Sequence, residues 1–323
     1  MDKKKIIVMI ISFCLVLGIV SMLVYKEKEE RGNQLEESES YQLEEYKQKE
    51  YNGKKYSYNT GLNTILFLGI DDDNEENLGQ SDMISMILLD RHKEEIKLLM
   101  VSRDSMVKIH QYDAGGNDLG WNTQHLALAY SYGNNPKHGA ILTVQALSKV
   151  LGDIPILNYV ALNTKEIAKF QDVIGTLSIT LDDDYTDVNS QYKKGNRIEL
   201  TTNEAESFVR YRNTKEAYSN EKRMKRQKLY MEAYMEQLKQ CLNENKEETI
   251  RKMYEHYRST ATNITHEEIQ NFAEMIMTYS FDSNDVYVLE GENKQGKYHD
   301  EYILNEEKLE QLVINLFYEE EQG

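Results

Sequence analysis

The sequence predicts an α/β fold, a mixed sheet covered by helices, preceded by one membrane-spanning helix. Three observations predict it. Residues 6–25 carry no charge. Strand-like and helix-like patterns then alternate from 61 to 319. The run DMISMILLD (82–90) is followed by EEIKLLMVS (94–102) across only Arg91–Lys93, so these two strands must form an antiparallel hairpin.

The elements follow in order. IIVMIISFCLVLGIVSMLVY is twenty residues long; at about 1.5 Å each it spans a hydrocarbon core of about 30 Å. Lys3, Lys4 and Lys5 place residues 1–5 in the cytoplasm by the positive-inside rule, and the rest outside. A cleaved signal peptide is the competing reading, but no A-x-A-like site precedes KEKEER. A lipoprotein would use Cys14, yet Phe13 stands where a small residue belongs. Residues 26–60, rich in Glu, Lys and Tyr, read as a solvated stalk, with a weak helix as the alternative. Cys241 is the only cysteine beyond the anchor, which excludes an intrachain disulfide there.

One domain is expected over 61–319, with 320–323 as a tail. NTILFLG is a buried strand that ends at an acidic loop with Asp71, Asp72, Asp73 and, further on, Asp82. Helical patterns follow over 122–132 and 138–151, then a strand at 154–162, a helix at 163–173 and the strand TLSITLD. Thr201 with Glu204, and Thr265 with Glu268, have capping-box spacing. Ile269, Phe272, Ala273 and Ile276 mark one helix face. DVYVLEG adds a late strand, and 305–318 a last helix.

The chain of 323 residues carries a net −17. Without Asp2 and Lys3–Lys5 the external part has 35 basic and 54 acidic residues, a net −19. Such a body repels nucleic acid, and any bound anion needs a local exception. RYRNTKEAYSNEKRMKRQK (210–228) is that exception, eight cationic residues against two glutamates. Arg210 and Arg212 share a face if the chain is extended there; Arg223, Arg226 and Gln227 share one on a helix over 220–240. Convergent guanidinium groups suit a diphosphate, while a solvated basic helix face is the plainer reading for the lysines. Arg103, in MVSRDS, projects from a strand end, a common place for site residues; a local ion pair or turn with Asp104 is the plainer alternative. Asp71 and Asp82 close and open consecutive strands; together with phosphate oxygens they would suit Mg²⁺, although acidic surface loops are common. H-E-x-x-H, G-x-S-x-G and G-x-x-x-x-G-K-[ST] are absent, and the seven histidines show no zinc-ligand spacing.

Taken in order, the anchor, the strand–G-x-D loop, SDM (81–83), SRD (102–104), LALAYSYG (126–133), NEAESFVRYR (203–212), RMKRQ (223–227) and TATNITHEEI resemble the LytR-CpsA-Psr family over about 61–319. The resemblance implies an α/β/α sandwich anchored in a Gram-positive cell membrane. It also implies transfer of a glycopolymer, such as teichoic acid or capsular polysaccharide, from a polyprenyl-pyrophosphate carrier to peptidoglycan. By the same resemblance Asp71 and Asp82 hold Mg²⁺, and these two with Arg103 are the catalytic set. Arg103, Arg210, Arg212, Arg223, Arg226, Gln227 and Gln80 then bind the pyrophosphate. An apolar slot for the lipid tail is expected between the sheet and the helices at 122–150 and 163–173. Three positions depart from the family pattern: Gln80 and Asp73 replace arginines, and Asn220 replaces an aspartate. They keep open a rival, a non-catalytic binder of lipid-linked precursors. Regulation by DNA contact is set aside by the acidic charge.

Overall fold

The computed structural model describes residues 46–71, 78–113, 115–257 and 260–321. They divide into a unit over 59–319 and a smaller one that includes 46–58. The expected membrane segment, 6–25, lies outside the described residues, as does most of the expected stalk. The end of that stalk is neither plain coil nor helix. β1 (Gln48–Tyr51) and β2 (Lys54–Tyr58) form an antiparallel hairpin. Asn52 and Gly53 both adopt positive φ between them, as the tightest hairpin turns require.

In the larger unit β3 (Leu62–Asp71), β4 (Gln80–Asp90) and β5 (Glu95–Val101) pair antiparallel in succession. The helix expected over 122–132 is replaced by strand. β6 (Met106–Tyr112) and β7 (Asp118–His125) form a hairpin, and the chain then makes two 3-10 turns, Leu126–Leu128 and Tyr130–Tyr132. Gly116 and Gly120, both at positive φ, turn and bend this ribbon. α1 (Pro136–Val150) starts with proline in its first turn and with Asn135 accepting from the His138 N–H at 3.0 Å.

β8 (Asn158–Asn163), α2 (Ile167–Asp172), β9 (Leu177–Thr180) and β10 (Arg197–Leu200) follow. α3 (Thr202–Arg210), α4 (Asn220–Glu244), α5 (Lys246–Tyr257) and the short β11 (Ala261–Thr262) come next. α6 (His266–Thr278) opens with the expected box: Thr265 N donates to Glu268 Oε2 at 2.7 Å, and Glu268 N returns to Thr265 Oγ1 at 3.2 Å. β12 (Val286–Val288), the hairpin β13 (Gly291–Gln295) with β14 (Asp300–Leu304), and α7 (Glu306–Phe317) complete the unit.

The central sheet runs β11-β8-β3-β4-β5-β12 and is mixed. β8 lies parallel to β3 and β12 to β5, while the other pairs are antiparallel. Ile65, Met83, Leu89, Leu98 and Met100 share a core with Phe208 of α3, Tyr230 of α4 and Phe272 of α6. The intervening Leu66, Leu68, Met86, Leu88 and Leu99 are at most 1 % exposed. Both faces of the sheet are therefore covered, which explains strands that are apolar almost throughout.

Candidate active site

The site is built around a defect in the β3–β4 ladder. Gly69 pairs with Met83 but Ile70 pairs with Ser81, so Asp82 is the extra residue of a β-bulge. A bulge re-aims the side chain it carries. The Asp82 carboxylate, nearly buried, is held from two sides: Arg103 Nη1 donates to Oδ1, and Arg223 Nη1 to Oδ2 at 2.5 Å. Arg103 also donates through Nη2 to Gln80 Oε1; its buried Nε makes no hydrogen bond among the described residues and lies 3.7 Å from Asp104 Oδ1. Asp71, directly across from Gln80 in the ladder, accepts from Arg210 Nη2 at 2.5 Å.

α3 and α4 deliver the other cations. Glu204 Oε2 accepts from Thr201 N at 3.0 Å, and this box starts a helix that continues through Arg210. The chain is therefore not extended through Arg210, the condition on which Arg210 and Arg212 were expected to share a face; one ends α3 and the other lies in the loop beyond it. Arg210 pairs with Asp71 and Glu206. Arg212 Nε donates to Ser219 Oγ at 2.9 Å, and its Nη2 lies 3.9 Å from Asp300.

The α4 residues face inward. Arg223 is 2 % exposed; burial pulls its pKa down to about 10 against the opposing pull of Asp82, so it stays charged at neutral pH. Asn220 Oδ1 accepts from Arg223 Nε and Nη2 at 3.2 and 2.8 Å, and its Nδ2 donates to Ser102 Oγ at 3.3 Å. Gln227 Nε2 reaches the carbonyls of Asp82 and Val209. Arg226 turns elsewhere: Nε donates to Phe208 O at 2.7 Å and Nη2 to Tyr211 O, fixing the end of α3.

The structure thus joins Gln80, Arg103, Asp82, Arg223, Asn220 and Ser102 in one network and sets Asp71 with Arg210 across the ladder from Gln80. Arg226 braces backbone outside that network. Sequence reasoning gave no role to Ser102, Ser219 or Asp300; isolated polar residues carry no periodic signal.

Asp71 and Asp82 offer hard carboxylate oxygens on neighbouring strands, the donor type Mg²⁺ takes. Among the described residues no group of three or more His, Cys, Asp and Glu side chains gathers as a metal cage. Both Asp82 oxygens accept from guanidinium groups, and Asp71 Oδ1 from Arg210.

Below the network lies an apolar cavity of about 150 Å³. Phe67 and Met83 from the sheet, Phe170 of α2, Tyr230 and Met235 of α4 and Phe272 of α6 line it. The expected contribution of 163–173 is present, whereas 122–150 packs elsewhere. Such a volume holds a benzene-sized group at rest. Four methionines in the wall, Met83, Met231, Met235 and Met253, supply side chains that re-pack readily. One stripe of α4 serves both regions: Arg223 and Gln227 at the polar end, then Tyr230, Tyr234 and Leu238 in the cavity wall.

A model of the LytR_cpsA_psr family matches residues 24–317. The polyisoprenyl-teichoic acid–peptidoglycan teichoic acid transferase TagU of Halalkalibacterium halodurans is 27 % identical over 149 residues. That match covers 46 % of this chain and 44 % of the relative, so the chain spans under half the length of this relative. Among solved structures, B. subtilis TagV superposes with TM-score 0.61 at 22 % identity, covering 79 % of this chain and 95 % of that one. TagT bound to LI-WTA superposes with TM-score 0.59 at 21 % identity, covering 80 % and 90 %. These likenesses carry the fold.

Proposed function

The chain belongs to the LytR-CpsA-Psr family, and from that premise we propose that it moves a glycopolymer from a polyprenyl-pyrophosphate carrier to peptidoglycan, forming a phosphodiester. The observation that carries the reading is the α4 stripe, charged at one end and apolar at the other. It matches an amphiphile with an anionic head and a hydrocarbon tail, an uncommon ligand class for an acidic protein. An α/β/α sandwich held at the outer face of the membrane by segment 6–25, with residues 1–5 in the cytoplasm, would present this stripe to such a lipid.

Arg103 and Arg212 bind the diphosphate oxygens, with Gln80 orienting Arg103. Asp82 and Asn220 hold Arg223 behind them, so the positive charge is in place before the ligand arrives. An acceptor sugar hydroxyl attacks the phosphorus nearer the glycan; the new P–O bond forms as the bridging P–O bond breaks, the hydroxyl proton passes to solvent, and polyprenyl phosphate leaves. Mg²⁺ held by Asp71 and Asp82 would neutralise charge on the diphosphate. Gln80 accepts from Arg103 and Asn220 from Arg223; two guanidinium groups held in place in this way support turnover over passive binding.

The test is the full-length protein in detergent with a lipid-pyrophosphate glycan, a peptidoglycan acceptor and Mg²⁺, with mass spectrometry of the product. A phosphodiester-linked conjugate is expected, and Arg103→Ala should lower its rate at least tenfold, about 1.4 kcal/mol or more. Carrier binding without any conjugate would instead favour the non-catalytic binder.

A further inference from the structure

A second, polar pocket shares Arg103 and Gln80 with the buried network and none of the residues that line the apolar cavity. Its volume is about 620 Å³, within the range of small-molecule sites, roughly 300–1,000 Å³. Gln80, Arg103 and Arg212 line it together with Gln295, Tyr298 and His299 of the β13–β14 hairpin. Lys215 and the carboxylates of Asp104, Glu216 and Asp300 complete the charged lining. The arginines suit phosphate, while the amide, phenol, imidazole and carboxylate groups suit hydroxyls.

Tyr298 is 79 % exposed, high for a large aromatic side chain, and Lys297 Nζ lies 4.8 Å from the centroid of its ring, which takes one face and leaves the other to solvent. The hairpin that carries it is nevertheless fixed. Tyr302 N donates to Asp104 O at 2.8 Å, tying β14 to the residue after Arg103. Asp300 Oδ2 accepts from Tyr218 N at 2.7 Å and lies near Arg212. His125 Nε2 is 3.0 Å from Asp300 O; a carbonyl only accepts, so this nitrogen carries the proton. An exposed ring on a braced hairpin, lining one pocket with hydroxyl-matching and phosphate-matching groups, is the make-up of a sugar subsite.

We propose that this pocket receives the acceptor saccharide: Tyr298 stacks on a pyranose face, Gln295 and His299 hydrogen-bond its hydroxyl or acetamido groups, and its free hydroxyl points at the phosphorus held by Arg103 and Arg212. The proposal rests on the transferase reading above and adds which part of the fold selects the acceptor.

The experiment uses the full chain and a soluble N-acetylglucosamine-containing oligosaccharide from peptidoglycan glycan strands. Two readouts are taken, acceptor KM in the transfer assay and saturation-transfer NMR on the sugar protons. Tyr298→Ala is expected to raise the acceptor KM about tenfold and to erase the NMR effect, whereas Tyr298→Phe, which keeps the ring, retains both. A donor KM that rises in step with the acceptor KM would overturn the proposal, as would unchanged sugar binding in Tyr298→Ala. If wild type binds the sugar through Tyr298 yet transfers nothing, the subsite stands and the transferase reading falls. If wild type transfers polymer while Tyr298→Ala matches it in both readouts, the subsite falls and the reading stands.

Discussion

Asp82 and Asp71 differ in what holds them, and that difference separates stability from chemistry. Asp82 is nearly buried and balances Arg223, which is itself buried. Asp82→Asn would leave that guanidinium without its counter-charge, a change expected to cost about 3–5 kcal/mol. Asp71 is one-third exposed in its pair with Arg210, so Asp71→Asn should alter stability by no more than about 1 kcal/mol. Denaturant unfolding distinguishes the two; both variants should lose transfer, and equal destabilisation would contradict this division. Arg103 and Asp82 stood out in the sequence because they lie near strand ends, but the bulge that aims Asp82 between two arginines has no signal there. Arg226 was not legible. Spacing puts it beside Arg223 on one turn of helix, and only the end of α3 folding over it reveals carbonyls as its partners.

Elements were legible where the period was clear and illegible where turn chemistry decided. β3, β4 and β5 announced themselves as apolar runs, and the two capping boxes marked α3 and α6. The stretch 122–132 misled because Trp121, His125, Leu126 and Ala129 have helix-like spacing. DAGGND at 113–118 is a turn signal that should have prevailed, since it closes the β6–β7 hairpin. β13–β14 was missed for a related reason: its strands are largely polar and present no alternating face.

The turn over 130–132 makes a further demand on α1. A Cβ on Gly139 would lie 2.6 Å from Tyr130 O, and one on Gly133 would lie 2.3 Å from Gly139 N. Alanine in a helix interior normally gains about 1 kcal/mol over glycine. Gly139→Ala is expected to reverse that sign, with a net loss of about 1–3 kcal/mol from forced separation of backbones. A thermal melt that rises instead would show that the two segments can part freely.

Over the whole molecule, the tyrosines set the alkaline limit. Burial raises the hydroxyl pKa of Tyr185, Tyr230, Tyr234 and Tyr302, and pushes Tyr58 to about 12. Their folded-state values lie above the unfolded value near 10. The stability they contribute is fully present below about pH 10 and is lost as pH rises toward the folded values. Arg223 and Arg226, whose values burial lowers, act in the opposite sense but are fewer. Unfolding free energy should therefore fall steeply above about pH 10, with phenolate absorbance appearing together with loss of structure. Early ionisation of these rings in the folded protein would contradict it.

The length of α4 has its own consequence for the proposed carrier. From Gln227 to Leu238 the helix advances about 16 Å, at about 1.5 Å per residue. Half of a hydrocarbon core about 30 Å thick is nearly the same depth. A tail one leaflet deep would thus find a lining of matching length, but a resting space of about 150 Å³ admits it only as the methionines of the wall move aside.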